Sequence, residues 1–344
     1  MEVTRRVVPG ELLYFLADRE GLGVDPGQEL RLEFVFEEGV HECPDISLSE
    51  YAPHTTLILR GEGRAVLDLC GLRVSARDIA LENLTIDHFV DTQSLAADRS
   101  ITLRDVSFMG RRGDKHGFPI AIHLKCPFKQ PQPCTVTADG LALVSNGSGA
   151  GKGTLLELDN VSEATFSRLL WVDNSFANGL LGHRLKRLTI RDSLILESGL
   201  FLRANEAERI EVERSTLQPL VVKNNSAEPP KVTLRDATVL LPPETALPEG
   251  LITERVETRV MPPDLTLARE DLKPLREGTR PDIPQLAQRV RDRDSLPPPK
   301  PLCIPPPPSK NPAFQAQLYA WLEAGGEASG LPKPRLSFEC PEEP

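Results

Sequence analysis

The chain contains no run approaching 18 consecutive apolar residues, which excludes a transmembrane helix. No apolar segment follows the start Met1-Glu-Val-Thr-Arg-Arg, so no secretory signal is expected. Basic excess is missing as well. The 40 Lys and Arg stand against 50 Asp and Glu, a net charge of −10, which argues against the broad basic surface of a general nucleic-acid binder. The six cysteines, Cys43, Cys70, Cys126, Cys134, Cys303 and Cys340, form no tight framework. Without an export signal they are expected to be reduced thiols in a cytoplasmic protein.

What remains is ordinary for a globular chain: 344 residues, 40% apolar and 26% charged. Proline is the exception, and it is unevenly spread. Of the 32 prolines, 21 fall in residues 242–344 and 11 in the first 241. Proline fixes φ and removes a backbone donor, so the last segment is a poor sheet former and favours extended polyproline geometry. A boundary is therefore expected near Leu241-Pro242-Pro243. Two short helices are expected beyond it, Asp282 to Arg293 and Asn311 to Ala324. In the second, Asn311-Pro312 is a good start, and Phe314, Leu318, Trp321 and Leu322 form one apolar stripe before Gly325-Gly326. Such a stripe on a proline-rich tether either folds back on its own body or docks on a protein partner.

The first 241 residues repeat. Seven octapeptides share one pattern: apolar, often Thr, apolar or small, any, turn residue, any, any, apolar. They start at Ile79, Ile101, Val136, Ala164, Leu188, Ile210 and Val232, at spacings of 22, 35, 28, 24, 22 and 22 residues. A period near 22 marks a solenoid whose coils bury apolar faces against their neighbours. Alternation of period two makes the coils from strands. The fifth positions are Asn83, Asp105, Gly140, Arg168, Asp192, Arg214 and Asp236; Asn, Asp and Gly suit a tight bend. A further short strand lies between octapeptides in most coils, as in Ile120 to Leu124, Leu155 to Leu158, Leu200 to Arg203 and Leu220 to Lys223.

These segments resemble the right-handed parallel β-helix repeat of the pectin-lyase-like superfamily over roughly residues 30–241. The resemblance implies an all-β fold: a capping segment at 1–29, a β-helix at 30–241 and a proline-rich tail with short helices at 242–344. Open solenoid ends invite edge pairing. Glu11 to Glu20 is expected to cap the first coil as an amphipathic helix, and Pro242-Pro243 to end the ladder.

Candidate chemistry is sparse. The insertion near 110–133 gathers Asp114, His116, His123, Cys126 and Cys134, types that can bind zinc. Their spacing lacks two close ligand pairs, and a polar loop is the simpler reading. Gly147 to Thr154 imitates a phosphate loop but has Asn146 where glycine is required, and a strand follows in place of a helix. Arg112-Gly113-Asp114 reads as a chance triplet. Asp173-Asn174 and Asp87 to Asp91 read as bends. No metal and no cofactor are expected.

The strongest constellation is an outward stripe. If Ile122, Leu158, Leu202 and Val222 point inward, then His123, Glu157, Arg203 and Lys223 point outward, with His183 expected in the same column. Adjacent coils lie about 4.8 Å apart, so these residues form a line that can bind an anionic polymer or a peptide. His or Glu in it can act as a base. Enzymes of the resembled superfamily cluster carboxylates on adjacent coils, or use carboxylate-bound calcium with an Arg or Lys base. The candidate column offers Glu157 alone.

Two functional readings follow. The first is an intracellular, non-enzymatic scaffold or interaction protein that engages a protein partner, and neither nucleic acid nor membrane. The alternative is a carbohydrate-active lyase, hydrolase or epimerase that uses the stripe on a polysaccharide. A phage-like spike component is a third and weaker reading.

Overall fold

A computed structural model describes residues 1–10, 27–42, 46–48, 54–68, 71–89, 92–110, 120–127, 133–144, 146, 153–172, 174, 176, 178–196, 200–205, 207–218, 222–223, 230–241, 244–260, 275, 281–292 and 320. Residues 1–293 make one compact unit and 294–344 a second, in which Ala320 is the described residue. The Glu11 to Glu20 cap and the helix with Phe314, Leu318, Trp321 and Leu322 lie outside the described residues. No described helix is long and apolar enough to cross a membrane.

The first unit is a parallel sheet that curls round an axis as a β-helix-like solenoid, and every strand pair in it is parallel. The pairings form three stacks, here called faces. The first runs from Glu2–Val7 and Leu30–Phe36 through Thr135–Asp139, Glu163–Ser167 and Arg187–Arg191 to Lys231–Arg235 and Ile252–Glu254. The second runs from Gly39–Glu42 through Ala142–Val144, Leu170–Val172 and Leu194–Leu196 to Glu257–Val260. The third holds Ile120–Lys125, Thr154–Asp159, Asn178–His183, Leu200–Asn205 and Val222–Lys223.

The octapeptide explains this geometry position by position. Its first and third residues, such as Ile101 and Leu103 or Leu188 and Ile190, are buried along the first face. The second position points outward, and Thr102, Thr137, Thr165 and Thr189 stand in register on successive coils. All seven fifth positions have positive φ, between 45° and 74°, and Arg255 repeats the conformation at 52°. Asn, Asp and Gly enter that region at low cost. Arg does not, and the three Arg bends are each tied to a neighbouring carboxylate. Arg168 pairs with Asp139 at 2.7 Å, Arg214 with Asp192 at 2.7 Å, and Arg255 with Asp236. The eighth position turns inward on the second face, where Ile86, Phe108, Leu143, Trp171, Ile195, Leu217 and Val239 form a buried column.

Buried Asn and Ser side chains inside the coils bond to the backbone and to one another. Asn146 Nδ2 donates to Phe108 O at 3.0 Å and to Asn174 Oδ1 at 3.1 Å, and Asn174 Nδ2 donates to Leu143 O at 3.0 Å. Asn174 is thus a core ladder residue. Ser193 and Ser215 serve the next corners, as Leu169 N donates to Ser193 Oγ and Ser193 N to Ser215 Oγ.

Two boundaries differ from those read in the sequence. Glu2–Val7, inside the expected cap, is the first rung of the sheet. At the other end parallel pairing resumes beyond Leu241, with Thr233↔Ile252 and Thr238↔Glu257. Pro242-Pro243, expected to end the ladder, lie outside the described residues.

The helix expected at 282–293 is present as Ile283–Asp292. Asp282 caps it, accepting from Gln285 N at 3.1 Å. Its stripe of Ile283, Leu286, Ala287 and Val290 joins Met109, Ala142, Val144, Leu170, Val172, Leu194, Leu196 and Leu240 in a second apolar cluster on the outside of the second face. At the start of the helix Ile283 lies beside Ala142 and Leu170, and at its end Arg291 Nη1 donates to Thr216 Oγ1 at 3.1 Å and Arg259 Nη1 to Arg291 O at 2.8 Å, so the helix runs along the axis.

The reduced-thiol reading is corrected for two cysteines: Cys126 and Cys134 form a disulfide, with Cα atoms 6.1 Å apart. Both are buried beside the corner that leads into Thr135–Asp139. Cys43, Cys70, Cys303 and Cys340 lie outside the described residues.

Candidate functional site

The three faces treat their outward polar groups differently. On the first face charges are tied into ladders across coils. Glu213 meets Arg191 at 3.3 Å and Arg235 at 2.8 Å, Arg235 meets Glu254 at 2.7 Å, and Glu211 is held by Arg187 and Arg209, each at 2.6 Å. The second face is covered by the helix between Met109 and Leu240. The third face carries the stripe of His123, Glu157 and their neighbours.

Strand register places its residues. Ile122, Leu156, Leu180, Leu202 and Val222 pair successively, and the first four are buried. The next residue along gives the row Ser94, His123, Glu157, Leu181, Arg203, Lys223. Of Arg203 and Lys223 the backbone alone is described. His183 is not in this row. It pairs with Asp159 and Asn205, two positions on, in a second outward row with Lys125. The half-exposed Leu181 stands in the place expected for His183.

The side chains nevertheless converge. His183 Nε2 lies 3.7 Å from Glu157 Oε1, which lies 4.0 Å from His123 Nε2. His123 Nε2 is also 3.9 Å from Asp159 Oδ2. These are ion-pair separations and too long for hydrogen bonds. His123 Nε2 is buried and makes no hydrogen bond. Burial pushes the Glu157 carboxyl above its ordinary pKa, with His183 opposing and Asp159 reinforcing the shift. Burial also pushes His123 below its ordinary pKa, against the pull of Asp159 and with help from Lys125 and His183. A carboxyl shifted upward thus faces an imidazole shifted downward.

Asp159 is the residue that sequence reasoning missed. The signal was available, because it lies two positions beyond Glu157 on one strand and therefore on the same side.

The other candidates separate. Of the residue types able to bind zinc, Asp114 and His116 lie outside the described residues, and the disulfide removes Cys126 and Cys134 as thiolates. Among the described residues no three His, Cys, Asp or Glu are arranged to hold a metal ion. Residues 147–152 of the phosphate-loop imitation, the Arg112-Gly113-Asp114 triplet and Asp173 also lie outside. On the second face Glu42, Asp68 and Asp87 are in register on adjacent coils, which the sequence reading did not find. His88 Nδ1 hydrogen-bonds Asp68 at 3.1 Å and lies 3.6 Å from Asp87. A cleft of about 250 Å³ lies elsewhere, between Arg168, Leu170, Leu275 and Ile283.

Set against protein families, curated proteins and solved structures, the chain has no significant match in any of the three comparisons.

Proposed function

We propose that the protein is a non-enzymatic scaffold whose solenoid presents its third face to a protein partner, with the proline-rich tail as a second attachment. The right-handed, pectin-lyase-like form of the β-helix is part of this reading, and rests on the octapeptide pattern. One observation carries the functional reading. The third-face row sets an apolar side chain, Leu181, between the acidic Glu157 and the basic positions Arg203 and Lys223 on a regular sheet surface. Such a mixed row suits an extended peptide, which brings side chains of all three kinds at strand spacing. The Cys126–Cys134 bond favours an oxidising compartment over the cytoplasm.

A photo-crosslinking residue at Leu181 in the full chain tests it. Capture of one protein partner, lost with Glu157→Gln and weakened by deletion of 296–344, supports the scaffold. Turnover of a glycan that Glu157→Gln abolishes, with partner capture unchanged, overturns it.

The enzyme reading keeps one specific support. Glu157 and His123 are shifted in opposite directions within 4.0 Å, and Asp159 adds the second carboxylate. Carboxyl and imidazole groups shifted towards one another in this way are suited to proton transfer. On that reading Glu157 donates a proton to a leaving oxygen and His123 accepts one.

A further inference from the structure

The turn from the third face to the first that follows Lys125 is longer than those of the two coils after it. After Asp159 the chain turns through Asn160, Val161 and Ser162, and after His183 through Arg184, Leu185 and Lys186. Asn160 and Arg184 both have positive φ, 58° and 56°. After Lys125 the same turn takes residues 126 to 134.

Register shows what the two cysteines replace. Lys125 pairs with Asp159, so Cys126 is the counterpart of Asn160; Thr135 pairs with Glu163, so Cys134 is the counterpart of Ser162. Their backbones make the matching ladder bonds. Cys126 N donates to Asp159 O at 2.8 Å, as Asn160 N does to His183 O at 3.0 Å, and Ser162 N donates to Cys134 O at 2.9 Å. Residues two apart in a chain are separated by at most about 7 Å. The disulfide holds its Cα atoms within that span, at 6.1 Å.

We propose that Cys126 and Cys134 are positioning residues, whose bond stands in for a three-residue corner and holds the strand with His123 in register with Glu157 and Asp159. Without it the six extra residues would loosen this corner, because a longer loop costs entropy to close. The bond forms as the two thiols give up two protons and two electrons to a small disulfide such as oxidised glutathione. The S–S bond of that oxidant breaks to leave two thiols while Sγ–Sγ forms. The inference rests on the third-face reading only in naming the site that is positioned.

The test uses the full chain, oxidised with oxidised glutathione, beside two variants. One is Cys126→Ser with Cys134→Ser. The other deletes 128–133 and carries Cys126→Asn, Pro127→Val and Cys134→Ser, which recreates the Asn160-Val161-Ser162 corner. The readout is the His123 ring-proton titration by NMR, assigned with His123→Gln. The oxidised chain and the short-corner variant should titrate at the same lowered midpoint, and the double-serine variant should move up towards about 6.5. If the double-serine variant titrates like the oxidised chain, or the short corner fails to restore the low midpoint, the proposal is overturned. Should the double-serine variant not fold, the short-corner variant decides alone. Loss of partner capture in every form, with the expected titrations, would refute the third-face reading and support this one.

Discussion

Arg168 reaches across Gly140 to within 3.6 Å of Asp105, two coils back, while its Nε donates to Asp139 at 2.7 Å. Gly140 permits this reach. A Cβ there would run into Asp105 Oδ1, and its φ of 74° is one that other residues enter at a cost. Gly140→Ala should therefore destabilise by about 1–2 kcal/mol from the backbone alone, with a further loss as Asp105 is displaced. Gly250→Ala is the control, since its φ is 83° and nothing lies within 4 Å. Urea unfolding of the pair should show the larger loss at Gly140, and equal losses would refute the contact.

Trp171 is fully buried between Leu143 and Ile195 in the inward column of the second face. Trp171→Ala should cost about 3–5 kcal/mol, as a large cavity opens where neighbouring coils cannot close it. A fall in the urea midpoint with an unchanged slope would agree with this.

Asn174→Ala should cost about 1–3 kcal/mol, because Asn146 and the Leu143 carbonyl lose their buried partner together. Asn174→Asp should cost at least as much, since a carboxylate cannot donate to Leu143 O. Thermal melts of the two variants test the ordering.

Acid should weaken the ladders before neutral conditions do. Hydrogen bonds from Arg168 and Arg255 hold Asp139 and Asp236 below the ordinary carboxylate range. A lowered folded pKa gives stability that is present above the unfolded value and is lost as pH falls through the folded one. Melting temperature should therefore drop below about pH 4 and fall further in salt. Glu157 has the opposite sign, because burial raises its pKa, so its ionisation opposes folding as pH rises past the ordinary glutamate value. Glu157→Gln should match or exceed the parent in stability at pH 7 while losing partner capture. A destabilised variant would mark Glu157 as structural.

The coil pattern was legible because each octapeptide position has one physical duty. Inward positions must be apolar, and the fifth must tolerate positive φ. Arg168 and Arg214 broke the propensity rule at that fifth place, and only the stacked coils show why: an Asp on a neighbouring coil holds each guanidinium. The His183 row was misread because period-two alternation fixes which side a residue faces and leaves slips of two positions undetermined. Leu181 and His183 both face outward, so the sequence pattern fits either. The disulfide was hidden for a similar reason. Cys126 and Cys134 are eight apart in sequence, and they become corner partners only once Thr135 is matched to Glu163.

The helix Ile283–Asp292 changes how the solenoid should come apart. In a stack whose members touch only their neighbours, melting starts at an end and spreads piecemeal. A rod lying lengthwise on Ala142, Leu170, Leu194 and Leu240 couples windings as far apart as the first and last of these, which are not neighbours in the stack. The windings beneath it should melt as a single cooperative block, and those that hold Leu32, Leu57 and Leu67 should fray earlier. Leu286→Asp, which unseats the rod, would turn one sharp transition into a graded one.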